Sequence, residues 1–219
     1  FNTLMAKQAL DNMRLRQRVV QLNEQQNPKA LMGPPQKRAA IVLTDVEGST
    51  CLWESNPTAM RAALELHDKT VRKVCAQHYG YEIDTEGDAF FLAFHEASDA
   101  IAFGLDVQVA LNQTAWRDDI LALPWAKVDP KTGRKGLRVR IAIHFDQVET
   151  IENALTGRTQ YVGPAMHVAR SLESMTVGGQ VLMTYETWNA AFHLADSRLG
   201  SPQVANLGTH IIAEKCHSN

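Results

Sequence analysis

Two acidic turns, each directly following a hydrophobic run, constrain this chain more than any other feature. The first stretch, Ile41–Trp53, reads IVLTDVEGSTCLW, and the second, Tyr81–Phe94, reads YEIDTEGDAFFLAF. Both pass abruptly from β-branched or aromatic residues to acidic residues and a glycine, which is typical of a buried strand that ends at a polar site. Asp45 closes one predicted strand and Asp88 follows the tight turn between two others. A sheet that pairs these strands brings both carboxylates together, and such a pair is suited to a hard cation.

Hydrophobic periodicity predicts the order β-α-β-β-α-β-α-β, followed by a short helix and a terminal strand. The predicted strands are Ala39–Thr44, Tyr81–Thr85, Ala89–Phe94, Leu137–Phe145, Gln180–Thr184 and Val204–Ala213. The predicted helices are Pro57–Tyr79, Ala97–Trp116, Met166–Met175 and Tyr185–Leu194. This order predicts an α+β fold, a ferredoxin-like βαββαβ sandwich with helices on one face of a mainly antiparallel sheet.

Three segments divide the chain. Residues 1–26 are polar with two apolar stripes, which fits either a solvated helix or a short coiled coil that acts as a signalling helix. Residues 27–37 contain three prolines and a glycine and are predicted to be a linker, and residues 38–219 form the main domain. Because the chain begins with Phe1, we expect it to be a piece of a longer protein that contains an upstream sensor or membrane region.

Charge and cysteine content exclude several classes of function. The formal net charge is −2, from 22 basic and 24 acidic residues, which argues against a nucleic-acid or membrane-surface binder. The three cysteines show no CxxC spacing, so neither a disulfide framework nor a zinc site is indicated. No apolar run approaches the roughly 20 residues of a membrane span, and no signal-peptide pattern is present. We therefore expect a cytoplasmic domain, although the full-length protein could be membrane-bound.

Five motifs in order carry a resemblance to a known family. They read TDVEGSTCLWE, YGYEIDTEGDAFFLAF, GLRVRIAIH, QYVGPAMHVAR and GGQVLM. Together they resemble the catalytic domain of the class III nucleotide cyclases, with most similarity to fungal, trypanosomatid and green-algal adenylate and guanylate cyclases. The resemblance covers about residues 38–187 and implies a lyase that forms cyclic AMP or cyclic GMP from ATP or GTP.

The resemblance also implies a head-to-tail dimer, a homodimer or a heterodimer with another cyclase domain, whose active sites lie at the interface. One subunit then supplies Asp45 and Asp88, which hold two Mg²⁺ or Mn²⁺ ions, with the Val46 carbonyl as a further ligand. Such ions bridge the triphosphate and activate the ribose 3′-hydroxyl. The backbone from Val46 to Thr50, which turns into the next helix, is expected to present N–H groups to the β- and γ-phosphates. The residues predicted to bind triphosphate are Glu47, Gly48, Ser49, Thr50 and Arg158.

The other subunit supplies the groups that read the base, and here the chain departs from the family pattern. Asp84 stands where adenylate cyclases usually have lysine, and Gln160 stands at the second base-reading position, which is commonly aspartate. Asp84 can accept from guanine N1 and N2 while the Gln160 amide donates to O6, which favours GTP. Asp84 can equally be without any contact to a base, so ATP and GTP both remain open.

The positions that act on the transition state also diverge. His167 and Ser171 stand where the family has asparagine and arginine, and Arg170 lies one residue early, which turns it about 100° round a helix.

Three functions follow: a cyclase, as a homodimer or as the metal-bearing half of a heterodimer; a degenerate domain that binds nucleotide and regulates a partner; and a plain dimerisation module. Two unneutralised carboxylates at a strand end disfavour the third. His144 is predicted to be a packed, hydrogen-bonded core histidine.

Overall fold

The computed structural model describes residues 33–154 and 157–210. Within these residues the strands are β1 (Arg38–Val46), β2 (Tyr81–Glu86), β3 (Ala89–Phe94), β4 (Val139–Gln147), β5 (Glu149–Glu152), β6 (Thr159–Val162) and β7 (Val181–Met183). The helices are α1 (Ser49–Ser55), α2 (Pro57–Gln77), α3 (Ala97–Gln113), α4 (Asp118–Leu121), α5 (Pro164–Met175) and α6 (Tyr185–Ala191), followed by a 3₁₀ turn at Phe192–Leu194. The helix predicted over 1–26 lies outside the described residues.

One five-stranded sheet, in the order β2-β3-β1-β4-β7, organises the domain. All its pairings are antiparallel except that of β4 with β7. The first four strands have the order of a ferredoxin-like sandwich, so the predicted α+β fold is confirmed. β1 is the central strand, and its apolar residues are buried on both faces, as its uninterrupted apolar run predicts.

The two faces of the sheet carry cores of different size. Ala40 and Val42 of β1 belong to the larger core, which α2 and α3 cover. Ala39, Ile41 and Leu43 alternate with them and belong to a smaller core, which α5 and β6 cover. We call this second side the α5 face. Helices on only one face were predicted, and this is wrong because α5 packs its buried apolar stripe on the other.

The hairpin of β2 and β3 places the acidic turn at the edge of the sheet. Gly87 adopts a positive φ of 64°, which glycine accommodates without steric cost. The β2–β3 register shifts between Glu82 and Asp84, so one residue is inserted as a bulge. After the bulge Asp84 pairs with Phe91, whose side chain lies in the smaller core, and Asp84 therefore lies on the α5 face.

Several elements differ from the sequence-based expectation. The seven-residue helix α1 and the hairpin of β5 and β6 are additional, because elements this short give little periodic signal. The terminal strand predicted over Val204–Ala213 is wrong for residues 204–210, which have no strand structure and are exposed; residues 211–213 lie outside the described part. Across the residues that the structure describes, no helix has the length and apolar character that crossing a membrane requires.

Candidate active site

Asp45 and Asp88 meet where β1 ends beside the hairpin turn. The Val46 N–H donates to Asp88 Oδ2 at 3.1 Å, which ties the turn to the end of β1. Burial and the negative charge of Asp45 raise the pKa of Asp88, against hydrogen bonds from the Val46 N–H and the Ser49 side chain. The fold thus places two carboxylates close enough to repel one another.

Arg140 lies directly across from Asp45 in the β1–β4 ladder. Its Nε donates to Asp45 Oδ2 at 2.9 Å, and its Nη2 bonds the same oxygen. On its other side, Arg140 Nε lies 2.7 Å from Oε1 of Glu173, a residue of α5. Burial and the charge of Asp45 raise the pKa of Glu173, against the lowering effect of Arg140. The sequence does not identify this network, because it depends on the register of two strands distant in sequence.

The carboxylate pair fits a hard divalent cation. No group of three or more His, Cys, Asp or Glu side chains in residues 33–154 and 157–210 is placed to hold a metal. Mg²⁺ binds through one or two carboxylates and completes its shell with water and substrate phosphates, so two aspartates suffice. Burial and the nearby charge of Asp45 raise the pKa of Asp88, and a cation bound between the two carboxylates would offset both effects. A metal role for the Val46 carbonyl stays a prediction.

Two backbone amides at the turn after β1 are already hydrogen-bonded to other groups of the domain. The Val46 N–H serves Asp88 and the Glu47 N–H donates to the Arg138 carbonyl at 2.9 Å, so these two amides do not point at a phosphate as predicted. The Glu47 carboxylate accepts from the Gly178 N–H at 3.1 Å and joins the turn to the loop before β7. The amides of Gly48, Ser49 and Thr50 lie at the start of α1, where helical N–H groups lack intrahelical partners.

Trp125 packs directly on this turn. Gly48 has a φ of 72°, and a Cβ built on it would lie 2.5 Å from Trp125 Cδ2. Glycine is therefore required at this position both by its conformation and by the indole. Trp125 belongs to the segment between α4 and β4, and its contact with the turn could not be anticipated from local sequence.

The predicted base-reading residues lie along the β2 edge of the sheet, away from the end of β1. Asp84 is exposed, and its carboxylate accepts from the neighbouring Thr85 N–H at 2.8 Å. Gln160 lies on β6, next to Thr159, whose N–H donates to the Tyr81 hydroxyl of β2 at 3.2 Å. These contacts place β6 beside β2 and on the same side of the domain as Asp84.

Arg158 lies by this edge, directly before β6. Burial raises the pKa of Glu82, a β2 residue, but hydrogen bonds from Arg72 and Thr85 and the charges of Arg72 and Arg158 outweigh burial. The pKa of Glu82 is therefore lowered. Arg158 is thus close enough to Glu82 for its positive charge to help lower the pKa of that carboxyl. The predicted contact of Arg158 with the triphosphate stays a prediction.

The divergent positions are on α5. His167 and Arg170 are exposed and Ser171 is half-buried. The Arg170 guanidinium lies 4.7 Å from the centre of the Phe91 ring, a cation–π contact with the neighbour of Asp84. Arg170 thus covers the smaller core and does not take the position of the missing arginine at 171.

His144 is buried, and its Nδ1 lies 3.0 Å from Thr184 Oγ1. Burial lowers the pKa of His144, against the charges of Asp146 and Glu186. The predicted core role of this histidine agrees with these contacts.

Comparison with known proteins decides the family. The model of the adenylate and guanylate cyclase catalytic domain matches residues 32–198. This chain belongs to that family. The resemblance in the five motifs is therefore confirmed, and so is the assignment of the domain to the cyclase enzymes.

Relatives of this cyclase domain include adenylate cyclases of fungi and trypanosomes. It is 34% identical over 157 residues to an adenylate cyclase of Lachancea kluyveri, covering 70% of this chain and 8% of that protein. It is 30% identical over 182 residues to a receptor-type adenylate cyclase of Trypanosoma congolense, covering 74% of this chain and 24% of that protein. The chain thus spans a small part of these relatives.

Solved structures show the same fold. A structure described as an adenylate cyclase from Trypanosoma brucei in its monomeric state superposes with a TM-score of 0.67 at 26% identity, covering 73% of this chain and 78% of that one. The cyclase domain described here therefore shares its fold with an adenylate cyclase structure that is described as monomeric.

Proposed function

We propose that this domain is the metal-bearing half of a nucleotide cyclase that converts ATP or GTP into the 3′,5′-cyclic monophosphate and pyrophosphate. The reaction forms a bond from the ribose 3′-oxygen to the α-phosphorus, breaks the bond to the β-phosphate oxygen, and releases the 3′-hydroxyl proton. The observation that carries the proposal is the pairing of Asp45 and Asp88 at the end of β1, with Asp88 fixed by the Val46 N–H.

The residues of this chain supply oxygen ligands and positive charge. Asp45 and Asp88 would hold two Mg²⁺ or Mn²⁺ ions, which supply charge neutralisation for the triphosphate and acidity for the 3′-hydroxyl when bound. Arg140 lies beside Asp45 and adds a positive charge for the phosphate oxygens. Gly48, Ser49 and Thr50 add backbone amides at the same end of the domain.

A second cyclase domain completes the site in this proposal. His167 and Ser171 replace the asparagine and arginine that the family resemblance implies, and Arg170 is engaged with Phe91. Removing one transition-state donor costs about 10²–10³-fold in rate, so a homodimer of this chain is expected to turn over slowly. A heterodimer in which the partner supplies these groups is therefore favoured over a homodimer.

The same arrangement bears on the choice of nucleotide. In a heterodimer that uses the metal half of this chain, the partner reads the base, and Asp84 and Gln160 do not select it. The activity named for the fungal and trypanosomal relatives then supports ATP. In a homodimer Asp84 and Gln160 would supply the base-reading groups, and their hydrogen-bonding chemistry favours GTP.

The test is a turnover assay with Mn²⁺ and either ATP or GTP, in which the cyclic monophosphate and pyrophosphate are both quantified. We expect slow turnover by the chain alone and a large increase on mixing with the catalytic domain of a fungal adenylate cyclase. A regulatory role is favoured by the divergence at His167 and Ser171. It predicts that this chain changes the partner's turnover, and that the D45N variant changes it to the same extent as the unmodified chain does.

A further inference from the structure

Arg140 contacts two carboxylates from different elements. Its Nε lies 2.9 Å from Asp45 Oδ2 on β1 and 2.7 Å from Glu173 Oε1 on α5. Its Nη2 also bonds Asp45 Oδ2. The guanidinium therefore occupies the space between the predicted metal ligand Asp45 and the helix that covers the α5 face.

The hydrogen bonds of Arg140 are directed to only one of these carboxylates. Glu173 Oε1 is buried and accepts no well-aligned hydrogen bond from any described residue, although Arg140 Nε is at contact distance. A single N–H cannot be aligned with Asp45 and Glu173 at once, and here it points to Asp45. Glu173 thus has an unused acceptor within reach of the guanidinium.

A cation at Asp45 must compete with this arrangement. Asp45 Oδ2 already accepts both Nε and Nη2 of Arg140, so a divalent ion on the same oxygen would lie against a positive charge at short range. Glu173 Oε1, at 2.7 Å from Nε, offers the guanidinium another acceptor if it turns away from Asp45 Oδ2.

We infer that Glu173 is a positioning residue that receives Arg140 when a divalent cation binds Asp45, and that it thereby sets the affinity of the Asp45–Asp88 pair for the cation. This inference rests on the proposed function, because it assumes that the pair binds metal. It assigns Glu173 a part in cation binding without direct contact with the ion.

Titration of the chain with Mn²⁺ alone, followed by electron paramagnetic resonance in about 0.15 M salt, tests the inference without nucleotide or turnover. We expect E173Q to weaken Mn²⁺ binding about five- to tenfold, which lies within the range of coupling between groups in one salt-bridge network. R140Q should bind Mn²⁺ more tightly than the unmodified chain, because the competing charge is gone. E65Q, at an exposed glutamate of α2, is the matched control and should leave the affinity unchanged.

The double variant E173Q/R140Q separates positioning from simple charge. If Glu173 acts through Arg140, the E173Q substitution changes Mn²⁺ affinity by less than about twofold in the R140Q background. An equal loss in both backgrounds would overturn the inference, because Glu173 would then act only by its own charge. Unchanged Mn²⁺ affinity of E173Q in the otherwise unmodified chain would also overturn it.

D45N distinguishes failure of this inference from failure of the proposed function. If D45N binds Mn²⁺ as well as the unmodified chain does, the metal site itself is wrong. If D45N loses binding while E173Q retains it, the metal site stands and only the role of Glu173 is wrong.

Discussion

The carboxylate end and the base-reading edge both lie on the α5 face of the sheet, but they are built differently. At the carboxylate end, side chains are tied to other elements: Asp45 to Arg140 of β4, and Glu47 to Gly178 before β7. At the base-reading edge, Asp84 is exposed, and its carboxylate accepts from the amide of its own neighbour Thr85.

This difference indicates which half of the site one chain can hold in place by itself. The carboxylate end is organised by contacts within the domain. The edge with Asp84, and the α5 positions His167 and Arg170, present exposed side chains that a second domain would have to order. Divergence at His167 and Ser171 is therefore compatible with an intact fold, whereas change at Asp45 or Asp88 alters a charge network.

The largest effect is expected from removal of either carboxylate. D45N or D88N should reduce Mn²⁺-dependent turnover at least about 10³-fold in the presence of a partner domain, because metal ions contribute several kcal/mol to the transition state. The measurement is the initial rate of cyclic monophosphate formation.

The matched control for this loss is E86Q, an exposed carboxylate on the same hairpin. E86Q should keep most of the turnover. Equal losses in E86Q and D88N would contradict a specific role for Asp88 and point to general disruption of the hairpin.

Restoring the divergent positions should have the next largest effect. H167N/S171R, which introduces the family's asparagine and arginine on α5, should raise the turnover of the chain alone about 10²-fold. The gain must disappear when D45N is added, since the metal half is still required. A gain that survives D45N would contradict the division of the site into two halves.

A smaller effect is expected on stability at the turn after β1. G87A and G48A both place a Cβ at a positive φ, which costs about 1–2 kcal/mol, but only Gly48 is covered by Trp125. G48A should therefore lower the free energy of unfolding by about 1–3 kcal/mol more than G87A does. Denaturant unfolding measures both, and G48A/W125A should recover the difference.

The smallest effects are on the pH dependence of stability, and they should have opposite signs at the carboxylate end and at the base-reading edge. Burial and Asp45 raise the pKa of Asp88, so its contribution to stability is present below its ordinary pKa of 3.8 and is lost as pH rises through the raised value. Metal-free D88N should therefore melt at a higher temperature than the unmodified chain at pH 7, with the gain disappearing in acid. Differential scanning calorimetry between pH 3.5 and 7 measures it.

Glu82, on β2 at the base-reading edge, should show the opposite dependence of stability on pH. Its pKa is lowered chiefly by its bonds to Arg72 and Thr85 and by nearby positive charge, against burial, so its stabilisation is present above the ordinary 4.5 and is lost as pH falls through the lowered value. E82Q should destabilise the chain at pH 7 by about 0.5 kcal/mol, the size of a partly exposed ion pair. A change of the same sign in D88N and E82Q would contradict the contrast.

The sequence predicts those parts of the fold and site that depend on local pattern. The apolar run of β1, the glycine turn before Asp88 and the spacing of α2 and α3 are local signals, and they placed these elements correctly. The meeting of Asp45 with Asp88 followed from strands that must pair once β1 is central.

The remaining features depend on tertiary arrangement. Arg140 faces Asp45 only because of the β1–β4 register, and Glu173 reaches it only because α5 crosses the second face. Trp125 covers Gly48 from a long connecting segment that has little periodicity. The exposed segment 204–210 has the β-branched and apolar residues of a strand but no partner strand in the described chain.

The most direct test of the central claim is complementation with a fungal adenylate cyclase domain whose own two metal-binding aspartates are replaced by asparagine. That domain can supply a base-reading half but no metal half. If this chain is the metal-bearing half, mixing should produce cyclic AMP from ATP and Mn²⁺, and D45N in this chain should abolish the product. No product from the mixture, or product that persists with D45N, would contradict the account.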